Sequence, residues 1–372
     1  MKYNLDQVCY YVKEKIKVSE LSKSNYISTE NMLPNKCGIR VASVLPKAEY
    51  VQKYIKDDIL ISNIRPYFKK IWRADRDGGC SNDVLVLRAN ECCNSKFLYY
   101  TLANDAFFNY ATSTAKGTKM PRGDKNAIME YQIPAFTKAV QGKIGDFLSK
   151  IDIKIDNNIK INDNLQQQAR TLYAEIILSN STFNMTSGTL SDIADITMGQ
   201  SPSGNTYNED AIGEVFYQGR AEFGFRFPTR RLFTTEPKRM AEAGDVLLSV
   251  RAPVGDLNVA YERCCIGRGL AAIHSKTGHN SFILYTMFAL RSQLDVFNGE
   301  GTVFGSINRN ALNALPINIP STEKIAQFEA VARPIDDLIR INYEEFCRLE
   351  TLRDSLLPKL MSGELDVSSI QL

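Results

Sequence analysis

The sequence carries the same short unit twice, and this duplication constrains the fold more than any other feature. Residues 155–162 read IDNNIKIN, and residues 335–342 read IDDLIRIN, 180 positions later. TLYAEII at 171–177 faces TLRDSLL at 351–357 at the same offset. A period of this length is far above that of stacked solenoid repeats. The chain therefore consists of two halves that descend from one ancestral unit.

Further matches lie upstream of each unit, in the same order. DILISNIRP at 58–66 faces DVLLSVRAP at 245–253, and GTKMPRGDKN at 117–126 faces GTVFGSINRN at 301–310. In the first pair, DILIS at 58–62 and DVLLS at 245–249 are short apolar runs that a proline follows closely. Both runs predict buried strands, and DVLVLRA at 83–89 predicts another. Aromatic residues at helical spacing predict a matched pair of helices, which are SKFLYYTLANDAFFNYATS (95–113) and NSFILYTMFALRSQLDVF (280–297).

Apolar residues recur every seven positions in both helical segments, and two interleaved series of this kind form the seam of a coiled coil. The expected seam residues in the first segment are Leu148, Ile151, Ile155, Asn162, Leu165 and Leu172. In the second segment they are Ile335, Leu338, Asn342, Leu349, Leu352 and Leu356. Asn162 and Asn342 hold equivalent positions, where a slip of register would bury an amide without a partner.

These patterns predict an α+β fold with two pseudo-twofold-related mixed domains, separated by two long helices packed as an antiparallel coiled coil. The expected boundaries are 1–137 and 188–320 for the mixed domains, and 138–180 and 321–363 for the helices. SNSTFNMTSG at 179–188 is the expected linker. The alternative is two unrelated amphipathic helices, each lying on its own domain.

The charge is unevenly spread, although the net charge is only +3. Residues 1–137 hold 21 Lys+Arg against 14 Asp+Glu, residues 188–320 hold 12 against 13, and residues 321–372 hold 6 against 10. The first block suits a polyanionic partner, and the acidic last block suits a protein partner. No apolar stretch resembles a membrane span or a secretory signal, so a cytoplasmic protein without membrane contact is expected.

Motifs for catalysis are missing from the sequence. It has no phosphate-binding P-loop, dinucleotide-binding glycine motif, zinc spacing or adenine-methyltransferase Asn-Pro-Pro-aromatic run. The eight cysteines include no C-x-x-C, so reduced and mostly buried thiols are expected, and His274 and His279 are the two histidines. We therefore expect a binding protein with no catalytic residue and no metal. A methyltransferase or nuclease with unrecognised motifs, or a coiled-coil adaptor, is the alternative.

Basic and amide-rich stretches stand at corresponding places in the two halves. Arginine can bind guanine, asparagine and glutamine can bind adenine, and lysine can bind phosphate. Solvated charged loops are the simpler explanation for any single residue. As a group the following residues are the candidates for DNA binding: Arg65, Lys69, Lys70, Arg73, Lys116, Lys119, Arg122 and Lys125 in the first half, and Gln218, Arg220, Arg226, Arg230, Arg231, Arg251, Asn308 and Arg309 in the second.

The chain resembles the specificity subunit of type I restriction-modification systems over essentially its whole length. The resemblance is carried by DILISNIRP and DVLLSVRAP, the two Gly-Thr stretches, KINDNLQQQARTLYAEI and, most specifically, the end LLPKLMSGEL. It implies two target recognition domains that each bind one half of a split double-stranded DNA target, with the helices setting the separation.

The same resemblance implies partner subunits that carry the chemistry. Two modification subunits with adenine-N6 methyltransferase activity would bind S-adenosylmethionine. Restriction subunits would use ATP and Mg²⁺ for translocation and cleavage. Flipping of the target base would be an act of the partner. The chain itself would hold no cofactor.

Overall fold

The computed structural model describes residues 2–178, 185–299 and 305–365. The contacts within the chain divide it into two compact units. Unit 1 comprises residues 1–158 and 344–372, and unit 2 comprises residues 159–343. The sequence predicted four parts, namely two mixed domains and two long helices, and that division stays a prediction. The two compact units instead divide each long helix between them.

The helices have the following bounds in the described residues. They are α1 (Ser95–Ala103), α2 (Asp105–Ser113), α3 (Lys125–Met129), α4 (Lys138–Tyr173, continued by a π-helical turn over Ala174–Leu178), α5 (Leu190–Ile193), α6 (Asn280–Ala289), α7 (Arg291–Asp295), α8 (Arg309–Asn313) and α9 (Thr322–Ser362).

Unit 1 contains ten described strands. They are β1 (Lys2–Asn4), β2 (Cys9–Tyr11), β3 (Lys15–Lys17), β4 (Tyr26–Ile27), β5 (Tyr50–Tyr54), β6 (Ile59–Ser62), β7 (Ile71–Arg73), β8 (Gly78–Cys80), β9 (Val84–Ala89) and β10 (Gln132–Pro134). Three sheets form, with strand orders β1-β10, β2-β9-β6-β7 and β3-β5-β8-β4.

Unit 2 repeats this plan. Its strands are β11 (Met185–Thr189), β12 (Ala194–Met198), β13 (Tyr207–Asn208), β14 (Glu214–Tyr217), β15 (Leu232–Thr234), β16 (Met240–Ala241), β17 (Val246–Ser249), β18 (Leu257–Val259), β19 (Cys264–Ile266), β20 (Leu270–Ser275) and β21 (Pro316–Pro320). The orders β11-β21 and β12-β20-β17-β18 match two sheets of unit 1, and the third sheet is β13-β15-β14-β19-β16. The internal duplication is therefore visible in the strand topology.

The repeated Asp-aliphatic-Ser motif is explained by strands β6 and β17, whose residues are all buried. Asp58 precedes β6 and accepts a hydrogen bond from the Ile55 N–H at 2.9 Å, while Asp245 precedes β17 and accepts from the Glu242 N–H at 2.8 Å. The two carboxylates close the same tight turn before the strand. The predicted strands at these positions are confirmed.

The two predicted aromatic helices are each interrupted once. Asn104 lies between α1 and α2 in an extended conformation, and its side chain accepts a hydrogen bond from the Ala106 N–H at 3.0 Å. Asparagine is favoured as an N-cap, so it ends one helix and starts the next. In unit 2 the break falls at Leu290, between α6 and α7. The aromatic residues of these helices are largely core, as expected.

The predicted linker at 179–188 is partly wrong. Residues 185–189 form strand β11, which pairs antiparallel with β21 from Met185–Pro320 to Thr189–Pro316. Small polar residues do not exclude a strand when a partner strand is available, and the sequence does not display that partner. Residues 179–184 lie outside the described part of the chain.

In unit 1, segments of α4 and α9 pack antiparallel. Asp152 accepts a hydrogen bond from Arg353 Nη1 at 3.1 Å, and Asn158 Nδ2 donates to Glu345 Oε2 at 2.9 Å. The asparagine bond is the largest cause that holds the pKa of Glu345 below its ordinary value. Residue numbers rise along one helix as they fall along the other, which is the predicted orientation.

In unit 2, the remaining segments of α4 and α9 are also antiparallel. Asn342 Nδ2 donates to Asn162 Oδ1 at 2.9 Å, and Asn162 Nδ2 donates to the Ile339 carbonyl at 3.3 Å. The rings of Tyr173 and Phe328 lie 5.3 Å apart in the same seam. Each asparagine therefore pairs with its own copy in the duplication, so the buried amides satisfy each other and disfavour a shifted register.

The structure places most of the expected seam residues on the packed face. Leu148, Ile151, Ile155 and Asn162 are buried, and the half-buried members are Leu165, Leu172, Ile335, Asn342, Leu349 and Leu356. The prediction was wrong for Leu338 and Leu352, which are 43% and 44% exposed. Ile339, at 0% exposure, holds the place expected for Leu338, because the second series of α9 runs one residue later.

No helix in the described ranges is long and apolar enough to cross a membrane.

Candidate nucleic-acid interface

Two loops of unit 1 are joined by backbone hydrogen bonds into one surface, here called the unit 1 loop pair (residues 63–70 and 116–123). The Arg65 N–H donates to the Pro121 carbonyl at 2.8 Å, and the Gly123 N–H donates to the Asn63 carbonyl at 3.0 Å. Ile64 and Arg122 form an isolated antiparallel bridge between these bonds. Six of the eight candidate residues of the first half thus lie on one composite surface.

The cations of the unit 1 loop pair differ in exposure. Lys116, Lys119 and Arg122 are exposed on the second loop, whereas Arg65, Lys69 and Lys70 are half-buried on the first. Arg122 Nη2 lies 3.0 Å from Asp83 Oδ1. Partly paired cations on loops are suited to exchanging a carboxylate for a phosphate oxygen.

Several of these cations are held by local contacts. Lys70 Nζ donates to the Thr29 carbonyl at 2.6 Å, and burial lowers the pKa of its ammonium group. The ion pair with Lys116 is the largest cause that lowers the pKa of the Asp124 carboxyl. Two further candidates lie apart from the loop pair in sequence, Arg73 at the end of β7 and exposed Lys125 at the start of α3.

Unit 2 builds the same composite surface from different residues, here called the unit 2 loop pair (residues 250–256 and 305–309). The Ala252 N–H donates to the Gly305 carbonyl at 3.0 Å, and the Ile307 N–H donates to the Val250 carbonyl at 3.1 Å. Arg251 and Ser306 form the bridge between them. The backbone pattern is that of unit 1, while the side chains it presents are different.

Three candidates of the second half, Arg251, Asn308 and Arg309, are exposed on the unit 2 loop pair. Asn308 also caps α8 by accepting a hydrogen bond from the Ala311 N–H at 2.9 Å. The first four residues of the matching stretch GTVFGSINRN, 301–304, lie outside the described residues.

The other candidates of the second half lie on the loop 218–231, where exposed arginines meet carboxylates. Arg220 pairs with Asp256, Arg230 Nε lies 2.5 Å from Glu262 Oε1, and Arg231 Nη2 lies 2.9 Å from Glu222 Oε1. Gln218 is exposed on the same loop. The charges of these three arginines are therefore compensated by neighbouring carboxylates.

Arg226 was predicted as a DNA contact, and the structure contradicts this. Its side chain is 4% exposed, with Nη1 donating to Asp336 Oδ1 at 2.8 Å. Nη2 donates to Gln166 Oε1 at 3.1 Å, and the Tyr285 hydroxyl donates to the same Asp336 oxygen at 2.9 Å. Arg226 is thus the buried centre of a polar cluster. Its partners stand 110 and 59 positions away for Asp336 and Tyr285, so no local sequence pattern could reveal them.

Five of the eight thiols are buried, in agreement with the expectation of mostly buried cysteines. Cys9, Cys80, Cys93, Cys264 and Cys265 are buried, and all eight cysteines are free. Burial raises the pKa of the Cys93 and Cys264 thiols, both to about 12. His274 Nδ1 lies 2.6 Å from Asp245 Oδ1. Within residues 2–178, 185–299 and 305–365, His, Cys, Asp and Glu form no group able to hold a metal ion.

The fold and the two loop pairs define a duplicated α+β binding protein. A family model described as the type I restriction modification DNA specificity domain matches residues 2–167 and 184–342. The chain belongs to this family, as the sequence motifs predicted. The family supplies DNA recognition, which agrees with the prediction of a non-catalytic subunit and gives no support to a methyltransferase or nuclease.

Named relatives agree with this assignment. A Methanocaldococcus jannaschii protein named for the specificity subunit of the MjaX type I restriction enzyme is 36% identical over 47% of this chain and 41% of its own length. The HindI type I restriction enzyme specificity subunit of Haemophilus influenzae is 23% identical over 98% of this chain and 99% of its own.

The solved structure of a type I restriction-modification S subunit from M. genitalium has the same fold. Its TM-score is 0.60 at 18% sequence identity, and the match covers 99% of this chain and 96% of that one.

Proposed function

We propose that this chain is the DNA-reading subunit of a type I restriction-modification enzyme and binds a bipartite double-stranded target. The unit 1 loop pair binds one half-site and the unit 2 loop pair binds the other. The observation that carries the proposal is the recurrence of one backbone arrangement with different side chains. A shared scaffold with different reading residues is what two different half-sites require.

The electrostatics give the two units different parts in binding. Residues 1–137 hold 21 Lys+Arg against 14 Asp+Glu and expose Lys116, Lys119 and Arg122 for phosphate contacts, whereas residues 188–320 hold 12 against 13. Unit 1 therefore contributes more of the salt-dependent affinity. Unit 2 contributes more of its affinity through contacts to base edges and through partner subunits.

In this proposal, partner subunits carry out the methylation and cleavage reactions. Two modification subunits carry the methyltransferase and bind S-adenosylmethionine, and restriction subunits use ATP and Mg²⁺. An apolar face of α9 in unit 2 suits docking of a modification subunit, since Val331, Leu338 and Ile341 are 41%, 43% and 56% exposed and stand at helical spacing.

The test is to purify the chain with its modification subunits and map methylated adenines on random-sequence DNA. Two short motifs at one fixed gap are expected. Arg122→Ala should weaken binding to all sequences and reduce the slope of log affinity against log salt by about one. Lys160→Ala, which removes an exposed lysine of α4, is the control and should leave the slope unchanged. Absence of any preference among DNA sequences would overturn the proposal.

A further inference from the structure

The unit 1 loop pair carries two aromatic rings in solvent. Tyr67 and Phe68 are 46% and 39% exposed, and their ring centroids lie 4.7 Å apart. Met120, on the other loop of the pair, is 49% exposed. Tyr67 and Phe68 are here called the aromatic tip. Neighbouring large apolar side chains that stay exposed on a loop usually mark a binding surface.

The backbone on both sides of the tip is in an unfavourable conformation. The tip belongs to the short helical turn Pro66–Phe68, and the residues that flank this turn, Arg65 and Lys69, have φ angles of 51° and 52°. Residues other than glycine rarely adopt left-handed φ, and such strain persists only where the surroundings enforce it. Strained residues concentrate at functional sites, so the geometry of the tip is a candidate for function.

The surroundings enforce this geometry through an adjacent loop. The Asn35 N–H donates to the Phe68 carbonyl at 2.8 Å, and the Lys36 N–H donates to the Lys69 carbonyl at 2.9 Å. The ammonium groups of Lys36 and Lys69 lie 3.2 and 3.0 Å from Asp105 Oδ1 on α2. The tip is therefore positioned before any ligand arrives, which lowers the entropic cost of binding.

The charge around the tip indicates the class of ligand. Arg65, Lys69 and Lys70 flank the rings in sequence, and the hydrogen-bonded neighbouring loop adds exposed Lys119 and Arg122. Flat apolar rings bordered by cations suit a polyanion that also offers flat apolar faces, which are the stacked bases of DNA. The matching turn of unit 2 has Pro253 and fully buried Val254 instead, so that turn presents no aromatic tip.

We propose that the aromatic tip inserts against the bases of the half-site read by unit 1 and unstacks one base step there. The inference rests on the proposed function and adds a mode of reading to it. A step that unstacks easily costs less to deform, so unit 1 selects sequence partly through deformability. Unit 2 reads its half-site without an equivalent insertion from its loop pair.

The test uses the complex with modification subunits and duplexes that carry 2-aminopurine at successive positions of the mapped target. Binding of the unaltered complex should raise 2-aminopurine fluorescence at one step of the unit 1 half-site. Tyr67→Ala/Phe68→Ala should abolish that rise and weaken binding about 10- to 100-fold. The dependence of affinity on salt should keep its slope, because no phosphate contact is removed.

Three controls separate insertion from other effects. Tyr50→Ala removes a ring that is 45% exposed elsewhere in unit 1 and should change neither fluorescence nor affinity. An unchanged melting temperature should accompany the double substitution, because both rings are exposed. Tyr67→Phe should keep the fluorescence rise, since the ring alone inserts.

Each contrary result has a distinct meaning. If the double variant binds the preferred target as tightly as the unaltered complex, or if fluorescence never rises, insertion is overturned while DNA reading stands. If the variant loses the modification subunit instead of DNA, the tip is a protein contact and insertion is again overturned. If the unaltered complex prefers no sequence, the proposed function fails and insertion fails with it.

Discussion

Replacement of Arg226 by methionine tests whether this arginine supports the fold or touches DNA. Its guanidinium is 4% exposed and contacts the Asp336 carboxylate, the Gln166 amide and the Tyr285 hydroxyl. Removing one member of a buried ion pair leaves the other charge uncompensated, which costs about 3–5 kcal/mol. For a unit of this size, that loss corresponds to a melting temperature lower by about 6–20 °C.

The pair can also be removed as a whole. Arg226→Met/Asp336→Leu replaces both charges by apolar side chains, so no uncompensated charge remains and most of the lost stability should return. Thermal unfolding of the single and double variants, followed by circular dichroism, measures both effects. Arg230→Met is the matched control, because Arg230 belongs to the same loop and is 52% exposed in its pair with Glu262. A surface pair of this kind contributes about 0–1 kcal/mol.

DNA binding by the same variants supplies the second measurement. Titrations between about 50 and 200 mM salt give the number of phosphate contacts from the slope of log affinity. Arg226→Met should leave that slope unchanged. An unaltered melting temperature together with a slope reduced by about one would refute the structural role and return Arg226 to the DNA interface.

Three further predictions concern the helices and the aromatic tip. Asn342→Leu removes the donor to buried Asn162 Oδ1 and should destabilise unit 2 by about 1–3 kcal/mol, whereas Asn162→Leu/Asn342→Leu should recover most of this in denaturant unfolding; additive losses would contradict the pairing. Burial of the Asp105 carboxyl raises its pKa, but the contacts with Lys69 and Lys36 outweigh burial and hold that pKa below its ordinary value. The stability from this carboxylate is therefore present above the ordinary aspartate pKa of about 3.9 and is lost as the pH falls through the lowered one. Thermal melts of the unaltered chain and Asp105→Asn should converge over that range, and parallel curves would count against the contact. Leu338→Glu should abolish co-purification with the modification subunit at unchanged melting temperature, because Leu338 is 43% exposed; intact co-purification would exclude this face as the docking site.

The sequence predicted the architecture well where a residue's role depends on its neighbours along the chain. Short apolar runs located strands β6, β9 and β17, and the Asp-aliphatic-Ser repeat pointed to equivalent strands in both units. Seven-residue spacing located both long helices and the two asparagines that pair. These features are encoded locally, because side chains at a given spacing share one face of a strand or helix.

The sequence failed where the outcome depended on partners far along the chain. Leu338 and Ile339 are both aliphatic neighbours on α9, and only the packed partner decides that Ile339 is buried and Leu338 exposed. Residues 185–189 looked like a linker and became a strand, because β21 offers hydrogen-bonding groups more than a hundred residues away. The helix breaks at Asn104 and Leu290 were also missed, although Asn104 acts locally as the N-cap of α2.

The sequence by itself determined that the chain is duplicated and carries two long helices, because repetition and heptads are patterns along the chain, and its motifs carried the resemblance to the specificity-subunit family. Only the tertiary structure decided which charged side chains stay accessible on the loop pairs. It gathered Arg65 and Arg122 onto one loop pair, and it placed Arg226 inside unit 2 against Asp336. An arginine beside other arginines looks the same in sequence whether it faces water or a buried carboxylate, and the difference arises from contacts that folding brings together.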